Sequence, residues 1–192
     1  MNVKIVFLGF VLILSSLLVS TIGQAVVKSA AITQMQKRDG QHDFDWQTGK
    51  WKVHLRRLLN PLSGSTTWVE YNGTSVVRPV MNGRGSLLEL ELDGPKGHIE
   101  GVGLRLYDPE SGQWSLNWAN GGDGRMSTPM FGEFRDGKGE FFDQEVYNGR
   151  SVFVKNGFFA ITATSALFEQ AFSDDGGKTW ETNWRMTFTR IK

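Results

Sequence analysis

Turn chemistry punctuates this chain at short, even intervals, and that spacing limits its fold more than any other feature. The segments DGPKG (93–97), DPESG (108–112), RDGKG (135–139), YNGR (147–150) and SDDGG (173–177) each sit between runs of alternating apolar and polar residues. Glycine and asparagine supply the positive φ that hairpin turns need, so each segment marks a reversal of the chain. Eight to twelve residues between reversals suit a strand. Beyond residue 41 no stretch keeps a helical period for more than two turns.

Counting between turns predicts strands over 50–59, 66–78, 85–92, 98–107, 113–119, 129–135, 139–147, 150–158, 164–173 and 179–190. The expected class is all-β, an antiparallel meander β-barrel of about ten strands. A sheet this wide must curl, and closure removes its exposed edges. A two-sheet sandwich is the alternative, but even spacing without crossover connections favours the barrel.

Period two then assigns faces. Leu88, Leu90 and Leu92 alternate with Glu89 and Glu91. Trp114, Leu116 and Trp118 share a face, as do Phe168, Gln170 and Phe172. The last strand puts Trp180, Thr182, Trp184, Met186, Phe188 and Arg190 on one side, with Glu181, Asn183 and Arg185 on the other. In the first strand Trp51, Val53 and Leu55 point inward, and a bulge could exchange them with His54 and Arg56.

Residues 1–25 read as an export signal. Lys4 is the only charge before the apolar run from Ile5 to Leu14, and Gly23-Gln24-Ala25 carries small side chains where signal peptidase reads. An uncleaved anchor is the other reading, since apolar residues reach Val19. Residues 26–41 are expected to form a flexible leader and 42–192 the barrel domain, working in the periplasm or outside the cell. Without cysteine, disulfides, thiolate metal sites and a lipoprotein anchor are excluded. Cleavage after residue 25 leaves 20 basic and 20 acidic residues. That balance, with no basic run, argues against nucleic acid or an anionic membrane surface as partner, and no membrane insertion is expected once the signal is removed.

SDDGGKTW (173–180) spells the Asp-box of sialidases and other β-propellers, Ser-x-Asp-x-Gly-x-Thr-Trp. A propeller repeats the box at blade spacing, and here it occurs once. A glycosidase also wants a pair of inward carboxylates, which the alternation does not reveal. The box is therefore read as a hairpin, with Asp175 bonding the turn backbone.

HDFDWQTGKWKV (42–53) resembles the start of a lipocalin-like barrel, Gly49-Lys50-Trp51 matching the short Gly-x-Trp signature. The resemblance implies that Trp51 plugs the closed end and that Arg190, from the last strand, packs across it. The stretch 42–192 also resembles a group of exported bacterial proteins with lipocalin-like, calycin-type barrels. GTSVVRP (73–79), LRLYDPESGQWS (104–115), EQAFSDDGGKTWETNW (169–184) and FTR (188–190) carry that likeness. It implies the fold and brings no activity with it. The Gly-x-Trp-x-Gly-x-Gly motif of nitrobindin-type haem barrels is absent, because Val53 and Leu55 stand where its glycines would be.

Little in the sequence spells catalysis. His42, Asp43 and Asp45 could ligate a metal, but acids before a first strand commonly cap a helical turn. No metal or cofactor is expected. Lys52, Arg56 and Arg57 form a basic patch that would anchor an acidic head group only if one of them turned inward. The interior is more informative. Gln144, Gln170 and Thr182 fall on the inward face beside Trp184, with Trp114 and Trp118 on the wall. Arg105 and Tyr107 join them if strand 98–107 takes the other register. Buried amides without partners cost about 1–3 kcal/mol each, whereas a cavity with water or ligand satisfies them. The expected function is binding of a small, apolar ligand. The alternatives are an isomerase, cyclase or hydratase using Tyr107, His54 or Arg105, and an envelope protein whose barrel is filled.

Overall fold

The computed structural model describes residues 38–192, so the export signal and most of the leader expected from sequence lie outside the described residues. A short 3-10 turn, Asp45–Gln47, leads into eleven strands. These are β1 (Gly49–Leu58), β2 (Trp68–Val80), β3 (Gly85–Gly94), β4 (Gly97–Asp108), β5 (Gln113–Asn120), β6 (Arg125–Met126), β7 (Met130–Arg135), β8 (Lys138–Tyr147), β9 (Arg150–Phe159), β10 (Ser165–Ser173) and β11 (Glu181–Arg190). Every ladder is antiparallel. Pairing of β1 with β11 and of β4 with β5 closes ten strands into a ring, with β6 a two-residue ladder on the end of β5. The sandwich alternative is thereby removed. Each of the ten matches a strand expected from the turn spacing to within about three residues at either end.

The turns behave as their composition requires. Asp136-Gly137 and Asn148-Gly149 have positive φ at both central positions, the geometry whose twist matches the flanking strands. Asn72-Gly73, another turn signal, instead lies inside β2. There a Cβ on Gly73 would stand 1.9 Å from the carbonyl oxygen of Glu91, so glycine serves close strand approach rather than reversal.

One end of the barrel is closed by the residues before β1. Trp51 is fully buried and donates its indole N–H to the Gln47 carbonyl (2.6 Å). Arg190 lies across it, Cζ 4.2 Å from the ring centroid. The same guanidinium donates to the carbonyls of Ala163 and Thr48, each at 2.7 Å, and of Trp46. Phe44 enters the barrel as a plug. Its ring meets Trp114, Phe134 and Phe158 edge-on at 4.8–5.4 Å and stacks on Phe141. Gly40 joins the same end: it accepts from the Trp114 indole and donates to the Tyr107 hydroxyl.

The Asp-box hairpin joins β10 to β11 at the opposite end. Asp175 accepts from the backbone of Lys178 and Thr179 and from the hydroxyls of Ser173 and Thr179. These bonds pull its carboxyl down to about 2, the Thr179 contacts most strongly. The box is a turn locked by one carboxylate.

Two outcomes follow from these contacts. Arg190→Ala removes the cation–π contact and the bonds to three carbonyls, and should lower stability by about 2–4 kcal/mol in a urea melt. A variant as stable as wild type would show that the barrel closes without this clamp. Because the folded carboxyl of Asp175 is depressed, its contribution is complete above pH 4 and fades as pH falls toward 2. Asp175→Ala should therefore be less stable than wild type at pH 6, the gap shrinking on acidification. A gap that stays constant down to pH 2 would contradict the turn's dependence on the charged form.

Candidate functional site

In a closed barrel, alternation decides which side chains see the lumen. Near the closed end the inward residues are buried, among them Val53, Phe134, Phe141, Phe158 and Phe188. Toward the other end Leu116, Trp118, Gln170, Trp184 and Met186 are only half-buried. Met186 decides how deep the opening goes. It lies mid-strand in β11, in register with the buried Leu55 and Phe168, between the exposed Arg185 and Thr187. With ladders on both sides, Met186 still keeps part of its surface exposed. Above the Phe44 plug, these partly exposed inward side chains outline a cup at the other end of the barrel.

Several residues chosen from sequence do line this cup. Gln170 faces in, opposite Asn156 on β9 and Trp184 on β11. Trp118 packs against Gly101, where a Cβ would come within 2.2 Å of its ring. Trp184 stands toward the rim with the Arg57 guanidinium 5.7 Å from its centroid. Arg57 is thus the member of the basic patch that takes the inward register. Trp114 and Tyr107 belong to the closed end, where Trp114 bonds Gly40 and the Tyr107 hydroxyl is committed to the same residue. His54 and Arg56 stay outside against Glu70, with no bulge exchanging them with the core. His42 pairs with Asp45 on the surface.

Two expected lumen residues are outside. Thr182 is displaced by a bulge: Gln170 pairs with Trp184 but Ala171 pairs with Thr182, leaving Asn183 as the extra residue. Period two cannot be read through that insertion, so Thr182 and Trp180 turn outward. Thr182 lines an external groove of about 160 Å³ with Lys155, Glu169 and Trp180. Gln144 bonds the Ser151 hydroxyl and lines a second outer groove with Phe142, Phe153 and Trp180. Its strand, β8, has two apolar phases, and the inward one holds Phe141 rather than Phe142 because Phe141 packs on Phe44.

That phase carries Asp143 and Glu145 into the lumen, the carboxyl pair that the alternation did not reveal. They pair with the buried Val154 and Val152, while Phe142 and Val146 of the same strand face solvent. Burial and the neighbouring Glu145 carboxyl push Asp143 up to about 7. Its Oδ1 and the Asn156 Oδ1 are buried without a hydrogen-bond partner. The loop 59–67 leans over this rim: Leu62 donates its N–H to Glu181 (2.6 Å) and accepts from Arg150, which also holds Asp174.

Arg105 sits deeper, where the cup meets the closed end, paired with the half-buried Leu116 and one inward residue above Tyr107. It is 5 % exposed, donates from Nη1 to Gln47 Oε1 (2.7 Å), and has Cζ 4.2 Å from the Phe44 centroid and 5.5 Å from that of Phe158. The second register considered for strand 98–107 is the observed one, with Arg105 and Tyr107 inward.

No family profile and no curated protein matches this chain. Among solved structures it is similar to an S-type phycobiliprotein lyase from Guillardia theta, with a TM-score of 0.54 at 12% identity over 81% of this chain and 94% of that one. A redesigned β-barrel bound to DFHBI, covering 76% of this chain and 99% of its own at 12% identity, has a TM-score of 0.42. So does a de novo fluorescence-activating barrel, with 80% and 99% covered at 14% identity. The first likeness is one of fold, and the other two are too distant to carry more.

The carboxyl pair has a pH signature. A folded-state value raised above the unfolded one means that stability falls as pH rises from about 4 toward 7 and levels off above. Asp143→Asn should flatten that slope and be more stable than wild type at pH 8, as read from urea midpoints at pH 5 to 8. An unchanged slope would mean that Asp143 ionises freely in the cup.

Proposed function

We propose that this protein binds a small, largely apolar molecule non-covalently in the open half of its barrel, and that it does so outside the cytoplasm. The observation that carries the first claim is the partial exposure of Met186, Leu116 and Trp118, inward side chains well down the strands. A filled barrel would bury them. Apolar walls with a few unsatisfied polar atoms are the usual make-up of a small-molecule site, and here those atoms are the Oδ1 of Asn156 and the Oδ1 of Asp143. Export is supported by the apolar run from Ile5 to Leu14 and by the small residues at 23 and 25. Binding is preferred over the isomerase, cyclase or hydratase reading because two of the acid–base groups considered for it are elsewhere. His54 is outside, and the Tyr107 hydroxyl is engaged at the closed end.

A titration with an environment-sensitive apolar dye tests this reading. Wild type should bind the dye with a change in Trp184 emission, Trp51 at the closed end remaining unaffected. Gln170→Leu should leave stability nearly unchanged and alter dye affinity, since a hydrated lumen strands no partner. No dye binding by either protein, with a loss of about 1–3 kcal/mol on substitution, would mean a filled barrel.

A further inference from the structure

The floor of the cup holds a cation without a counter-ion. Among the described residues Arg56, Arg135, Arg150 and Arg185 have carboxylate partners, and Arg105 has none. Its guanidinium makes a single hydrogen bond, to an uncharged amide oxygen. Burial alone acts on it, lowering it to about 9, so it remains charged at neutral pH. A buried charge with no opposite charge is strongly destabilising. The rings of Phe44 and Phe158 favour the charge through cation–π contacts, but neither offers an acceptor to the remaining guanidinium donors.

The neighbouring group points the same way. Gln47 is fully buried, its Oε1 takes the Arg105 bond, and its Nε2 has no partner. Arg105 likewise keeps Nε and Nη2 without an acceptor among the described residues. All of these are donors. What the floor lacks is an acceptor, and the Nε–Nη2 edge of a guanidinium is the fork that matches a carboxylate.

We propose that the bound molecule carries a carboxylate, which Arg105 and Gln47 receive at the floor of the lumen while its apolar part extends along Leu116, Trp118 and Met186 toward the rim. This rests on the reading of the barrel as a binder. Leu116 is the cross-strand partner of Arg105 on β5, and Trp118 is the next inward residue above it. Asp143 and Glu145 disfavour an anion along the β8 wall, and Arg57, the inward cation at the rim, is exposed to solvent and needs no anion, whereas Arg105 is buried.

Calorimetric titration at pH 7.5 with decanoate and with decanol separates the claims. Wild type should prefer decanoate by about tenfold, the scale of one charge-assisted hydrogen bond. Arg105→Gln should bring the two to near parity, mainly through a loss of decanoate affinity. If that variant fails to fold, [1-13C]decanoate on wild type decides: its bound carboxyl should titrate well below the free acid. Equal binding of both probes by wild type, or a bound carboxyl that titrates like the free acid, would overturn the head-group assignment and leave the binder standing. Binding of neither would overturn both.

Discussion

Arg190 holds shut the end of the barrel on which everything else is built. It is the last residue of β11 and lies in register with Trp51 on β1, so it acts where the first and last strands of the ring meet. Its bonds reach the residues before β1 at Trp46 and Thr48 and the β9–β10 connection at Ala163. One side chain thus ties together three stretches far apart in sequence. With them fixed, Phe44 is held inside the barrel and the lumen can open at one end only.

That asymmetry organises the interior. The closed half is an aromatic core in which Phe44, Trp114, Phe134, Phe141 and Phe158 pack mostly edge to face. The open half is left with half-buried walls and polar atoms that nothing satisfies. Strand β8 shows the tension most clearly. Its phase is set by Phe141 docking on the plug, and the consequence is that Asp143 and Glu145 face in while Val146 is 77 % exposed. Such a reversal of the usual pattern marks a place where local preference yields to something else, as functional sites do.

Much of this was legible in the sequence, and the reasons are physical. Hairpin turns need residues that tolerate positive φ, so Asp136-Gly137 and Asn148-Gly149 announce reversals without reference to the rest of the fold. The Trp51–Arg190 contact followed from a signature whose parts sit at the two ends of the domain. Asp175 was readable as a turn because its bonds are local. Thr182 and Gln144 were misplaced because parity does not survive a bulge at Asn183 or an adjacent pair such as Phe141-Phe142. The solitude of Arg105 was invisible for a different reason. A missing partner is a property of the folded surroundings, and no spacing along the chain encodes it.

The claim that the barrel is an open cup can be tested with the chemistry the chain lacks. Because it contains no cysteine, a single introduced thiol reports its own surroundings. Met186→Cys and Phe188→Cys place that thiol on one strand and one inward face, two residues apart across the boundary between the open and closed halves. With a small methanethiosulfonate reagent under native conditions, residue 186 should react readily and residue 188 should stay protected, and an apolar molecule in the lumen should slow the first alone. Equal protection at both positions would mean that the barrel is filled along its length.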